Sequence, residues 1–112
     1  MEIRCRLIEG VTILDLEGKI RIGNETQALR DQIQGLSGVG VRSLLLNLTR
    51  ISEIDSCGVG ELVVAHTTMG RRGGTVKLLG LNPRVHSLLA MTKLLTLFEV
   101  FDNEKAAIES FG

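Results

Sequence analysis

The sequence predicts a layered α/β domain in the order β-β-α-β-α-β-α-β-α. It would have a mostly parallel sheet, an antiparallel N-terminal hairpin and helices packed on the sheet. Three observations lead there. Residues 1–16 read as two short strands joined at Glu9-Gly10. Leu44-Leu45-Leu46 is apolar on both parities, as a central strand covered on both faces must be. Beyond it, stretches with apolar residues at helical spacing alternate with short apolar runs bounded by glycine.

In the first strand Ile3, Cys5 and Leu7 alternate with Glu2, Arg4 and Arg6, which predicts that the apolar three face the core. The tight turn at Glu9-Gly10 returns the chain through Val11–Leu16. Residues 18–23 are irregular, with Ile20 and Ile22 extending the sheet or closing its end. Asn24, with Gln27 three residues on, reads as the N-cap of a helix over 24–36 whose apolar positions are Ala28, Leu29, Ile33 and Leu36. Gly35, Gly38 and Gly40 are expected to end it.

Residues 41–48 form the central strand, and 49–54 carry it to a break at Asp55-Ser56-Cys57-Gly58. A second helix follows, with Val59, Leu62, Val63, His66 and Met69 on one side and Arg71-Arg72 in its last turn. After Gly73-Gly74, Thr75–Gly80 reads as a strand. Asn82 caps a short helix opened by Pro83, with Val85, Leu88, Leu89 and Met91 apolar. Leu97–Phe101 is a last strand, and a terminal helix starts at Asn103.

Composition narrows function. The chain is read as one domain, residues 1–112, with 44% apolar residues to fill a core but only 3% aromatic. So few rings argue against a base-stacking surface, and 13 basic against 13 acidic residues argue against duplex binding, so no nucleic-acid partner is expected. No apolar run approaches the ~20 residues of a membrane span, and the charged N-terminus does not read as a secretory signal, so a cytoplasmic protein without direct membrane insertion is expected. Cys5 and Cys57 lack metal-ligand spacing with His66 and His86, so no metal or cofactor is expected, and the thiols are read as buried or half-buried. Phosphate-loop, dinucleotide, zinc-hydrolase and nucleophile-elbow motifs are all missing, so an enzyme is not expected.

The informative segment is 47–62. A buried strand ends, and Asp55-Ser56 stands where a helix begins and backbone N–H groups are unpaired. Either residue could cap that helix. Gly58 and Gly60 clear its first turn, so a Ser56 hydroxyl would be exposed and a phosphate on it would meet the positive helix end.

Ile54-Asp-Ser-Cys-Gly-Val-Gly60 resembles the "mDSSGLG" phosphorylation motif of the STAS domain of bacterial anti-sigma factor antagonists (anti-anti-sigma factors). Leu16-Glu17-Gly18, Leu44–Leu48, Gly73–Leu78, Asn82–Leu88 and Leu94–Phe98 are similar to further family segments, so the resemblance runs along nearly the whole chain. It implies a phosphoprotein in which Ser56 is phosphorylated by an anti-sigma factor with GHKL-type serine kinase activity. The unphosphorylated form would bind that kinase and free a sigma factor, and a PP2C-type phosphatase would reverse the modification. Partner contacts are expected at Asp55, Cys57, Gly58 and Val59, with Gly23, Asn24 and Thr26 from the neighbouring helix start. Val59 is expected to face the partner and Leu62 the core. Cys57 departs from the family's second Ser or Thr, residues 19–23 lack the usual acidic residue, and Lys93-Leu94 replaces a common Gly-Leu. Two rival readings are a constitutive STAS subunit of a transporter or signalling complex and a small nucleotide-binding domain. The lack of a Lys in 55–62 weakens the second rival.

Overall fold

The computed structural model describes all residues, Met1–Gly112. Its elements are β1 (Glu2–Ile8), β2 (Val11–Ile20), α1 (Asn24–Gly38), β3 (Ser43–Ile54), α2 (Ser56–Gly70), β4 (Thr75–Leu79), α3 (Pro83–Met91), β5 (Val100–Phe101) and α4 (Glu104–Glu109), with a single 3-10 turn at Leu95–Leu97. One five-stranded sheet has the order β1-β2-β3-β4-β5. The β1–β2 pair is antiparallel and the other pairs are parallel, as the sequence predicts.

Because each crossover steps to the next strand in the same direction, the connecting helices α1, α2 and α3 share one face of the sheet. Leu29 and Ile33 of α1, Leu62 and Met69 of α2, and Val85 and Leu89 of α3 pack there on Leu14, Leu44, Leu46 and Leu78. The terminal helix α4 follows the last strand and covers the opposite face, where Ala107 and Ile108 meet Val11, Ile13, Leu45 and Leu79. The Leu44-Leu45-Leu46 run is buried throughout because it feeds both layers.

Several local expectations fail for physical reasons. The apolar face of β1 stays uncovered: Leu7 is 73% exposed and Cys5 is exposed, because β1 is the sheet edge, and only Ile3 reaches the main core. Cys57 is exposed too, so neither thiol is buried. On the other face of β1, Arg6 is half-buried and pairs with Asp15 through Nε–Oδ2 (2.6 Å) and Nη2–Oδ1 (2.9 Å), and with Glu104 of α4. Arg6 therefore holds the Asp15 carboxyl below its usual value.

Helix α1 is capped at Gly23 with no side-chain bond, so Asn24 is its first helical residue and not its cap. It runs through Gly35 and Gly38, and its buried stripe is Thr26, Leu29, Ile33 and Ser37, leaving Ala28 exposed. Strand β2 continues to Ile20, with irregular pairing to β3 at Asp15/Glu17 and Gly18/Lys19, while Ile22 lies outside it. Arg71 and Arg72 lie beyond α2; Arg72 instead reaches the Ser37 carbonyl (3.4 Å) at the end of α1. Met91 is 81% exposed on the solvent side of α3. Leu97 belongs to the 3-10 turn, which shortens the expected last strand to Val100–Phe101. Lys93 takes φ 61°, a left-handed conformation that a glycine adopts freely, which gives a backbone reason for the Gly-Leu common in the resembling sequences. Asn82 caps α3 as expected, accepting from Val85 N–H at 2.9 Å, and Asn103, expected to begin α4, is its cap and accepts from Ala106 N–H at 2.9 Å.

The sequence reading assigned Lys77 no role. It is 7% exposed, yet its Nζ donates to the Ser110 carbonyl (3.0 Å) and hydroxyl (2.9 Å), meets Glu99 at 3.1 Å and lies over the Phe111 ring. These contacts satisfy a buried ammonium and fasten the C-terminal segment to the sheet.

Candidate functional site: the start of helix α2

The site lies where β3 delivers the chain to α2. Asp55 takes an extended conformation (φ −97°, ψ −178°) and is the N-cap of α2, its Oδ1 accepting from Gly58 N–H at 2.8 Å. Asp55, and not Ser56, therefore caps the helix. The second carboxylate oxygen accepts from Ile22 N–H at 2.9 Å, and the Asp55 N–H donates to the Ile20 carbonyl at 3.1 Å. One carboxylate thus clamps the end of β2 and the following loop to the start of α2. The N–H groups of Ile22 and then Gly58 hold its carboxyl below the ordinary aspartate value.

Ser56 is the first helical residue and is exposed, as is Cys57 beside it. Gly23 and Asn24 follow the clamped Ile22 directly and are exposed. The other three residues expected at a partner contact have inward roles. Thr26 is buried, and its hydroxyl donates to the Gly23 carbonyl at 2.9 Å, so it locks the start of α1. Val59 is 4% exposed within the main core beside Leu62, because the first turn of α2 rotates both inward. Gly58 is buried, and a Cβ on it would stand 2.5 Å from the Ile20 carbonyl oxygen and 2.6 Å from Ile54 Cγ1. Its missing side chain lets α2 approach the sheet, whereas a Cβ at Gly60 would meet nothing within 4 Å.

This contrast is testable. Gly58→Ala forces a Cβ against the Ile20 carbonyl and the Ile54 side chain and is expected to cost about 1–3 kcal/mol. Gly60→Ala, in open space within a helix, is expected to stabilise by roughly 0.4–1 kcal/mol. Urea unfolding of the two variants checks both signs; equal effects would refute the close approach at Gly58.

The sequence reading missed Ile22 as a site residue. It is 73% exposed, and its N–H is bonded to Asp55, so a large apolar side chain stands on the loop clamped to the helix start. Its alternation with Ile20 reads as a continuation of the strand, which hides an isoleucine that stands on the loop beyond it. Arg21 on the same loop also favours the ionised Asp55.

The sequence and fold of known proteins agree with this architecture. The STAS domain family profile matches residues 2–107. The anti-sigma F factor antagonist of Paenibacillus polymyxa is 24% identical over 108 residues, covering 96% of this chain and 92% of that protein. A crystal structure of a Thermotoga maritima protein, proposed as an anti-sigma factor antagonist, superposes with a TM-score of 0.90 at 21% identity, covering 96% of this chain and 92% of that one. The Bacillus cell fate determinant SpoIIAA, solved in its phosphorylated form, superposes with a TM-score of 0.78 at 18% identity over 99% of this chain and 100% of that one. With a family match spanning nearly its whole length and a sheet that builds the same fold, the chain belongs to the STAS domain family.

Proposed function

We propose that this protein is an anti-sigma factor antagonist that works by partner switching at Ser56. Unphosphorylated, it binds an anti-sigma factor with GHKL-type serine kinase activity; phosphorylation of Ser56 releases it, and a PP2C-type phosphatase restores it. The observation that carries this reading is the exposed Ser56 directly after the capping Asp55, on a helix start whose geometry does not depend on the serine. The names of the relatives support it, including a neighbour solved in a phosphorylated form.

The contact face in this reading is Ser56 and Cys57 on α2 with Ile22, Gly23 and Asn24 on the clamped loop. Gly58, Val59 and Thr26 support it from beneath and do not touch the partner. A phosphate on Ser56 adds about 1.5–2 negative charges. The Asp55 carboxylate already occupies the Gly58 N–H, so less of the helix end is free to hold that phosphate than an uncapped helix would offer. The added charge is therefore directed outward, into the space a docked partner fills.

Topology speaks against the nucleotide-binding rival. In open α/β sheets such ligands sit at a reversal of strand order, and this sheet runs β1 to β5 without one. The test is incubation with ATP, Mg²⁺ and the GHKL-type kinases of the source organism, followed by intact mass. One phosphate is expected on the wild type and none on Ser56→Ala. Stable kinase binding with no phosphate gain would replace this reading with the constitutive-subunit one.

A further inference from the structure

We propose that the free edge of β1 is a self-association surface, on which a second copy of this chain adds its own β1 antiparallel to make one continuous sheet. The two-residue turn with Glu9 at φ 50° and Gly10 at φ 80° fixes the ladder phase: it makes Ile8 and Val11 a hydrogen-bonded pair. The alternation of an antiparallel ladder then gives Arg6–Ile13, Arg4–Asp15 and Glu2–Glu17 as the other bonded pairs, with register unbroken along all seven residues. The amides and carbonyls of Ile3, Cys5 and Leu7 therefore point away from β2, into solvent.

These same three residues carry the apolar side chains of the strand. Cys5 is exposed, and Leu7 is 73% exposed although it is a large apolar residue. No proline, bulge or outward-facing lysine blunts this edge, as is usual where pairing must be prevented. A two-fold axis through Cys5 sets Cys5 opposite its symmetry copy and Ile3 opposite the copy's Leu7. All the free amides of the edge are then paired, and Leu7 is covered.

The opposite face tests the same register for charge. There Arg4 falls opposite Arg6 of the second copy, which would repel if Arg6 were free. Arg6 is instead held by Asp15 and Glu104, so its charge is neutralised within its own chain and the repulsion of Arg4 is removed. Apolar cover and free amides thus favour the same antiparallel register, and the neutralised Arg6 permits it. A single strand edge buries less than the roughly 1,200 Å² of a stable interface, so the pairing is weak and depends on concentration.

Residue-resolved amide hydrogen exchange on the unphosphorylated protein, without kinase, tests this at micromolar and millimolar concentrations. Exchange at Ile3, Cys5 and Leu7 is expected to slow severalfold at the higher concentration, while Arg4, Arg6 and Ile8 stay slow at both. Leu7→Lys, an exposed substitution that leaves the core intact, is expected to abolish the concentration dependence. Exchange at residues 3, 5 and 7 that ignores concentration, or that slows equally in Leu7→Lys, overturns the proposal. Neither result bears on Ser56, which lies on a different element.

Discussion

Replacing Leu45 by alanine is expected to lower the unfolding free energy by about 2–5 kcal/mol. Leu45 is fully buried in the smaller of the two core layers, with Val11, Ile13, Leu79, Ala107 and Ile108. Helix α4, six residues long, roofs this layer together with Phe111 just beyond it. Two polar anchors hold the roof at its ends: Arg6 to Glu104 at its start, and Lys77 to Ser110 just past it. If those anchors keep α4 at its present height, the cavity left by Leu45 cannot collapse, and the cost lies toward the upper end of the range. If α4 settles into the space, the cost falls toward the lower end. Urea unfolding measures it, and a loss below about 1 kcal/mol would mean that α4 does not seal this face of the sheet.

The same layer shows what the sequence made legible. Strand and helix order could be read because each element carries its own period, and β3 declared its central place by being apolar on both parities. The outcome was poorer wherever burial depends on a distant partner. Lys77 looks like a solvent charge in its strand, and only the return of residues 99–111 over it supplies the carbonyl, carboxylate and ring that let it be buried. Arg6 and Asp15 likewise sit at half-buried positions because they neutralise each other across β1–β2. In β1 the alternation was real, but which face gets covered is decided by how far α1 reaches, and periodicity carries no information on that. The local chemistry of the candidate site was clearer: a helix start at Asp55-Ser56 follows from residue type alone. The burial of Val59 and the clamp on Ile22 did not, since one depends on helix phase and the other on a contact spanning 33 residues.

Phosphorylation of Ser56 is expected to weaken binding of the kinase-type anti-sigma factor more than a hundredfold, equivalent to about 3 kcal/mol of coupling. Asp55 already places one negative charge at the helix start, and its Oδ1 takes the N–H of Gly58. The new phosphate therefore finds that N–H already taken and faces outward, while Arg21 acts on Asp55. A partner packed against Ser56 and the exposed Ile22 would have to bury that charge or withdraw, and burying it unpaired costs more than the contact returns. Ser56→Asp carries only one of the charges and is expected to reproduce part of the loss. The scaffold should be indifferent: with Asp55 as the cap, Ser56→Ala is expected to change stability by no more than about 0.5 kcal/mol, whereas Asp55→Ala should cost ~0.5–2 kcal/mol. Titration calorimetry against the kinase, paired with urea unfolding of each variant, separates the two effects. Unaltered affinity of the phosphorylated protein would remove the electrostatic basis of the switch, and unfolding of Ser56→Ala would move the serine from signalling to structure.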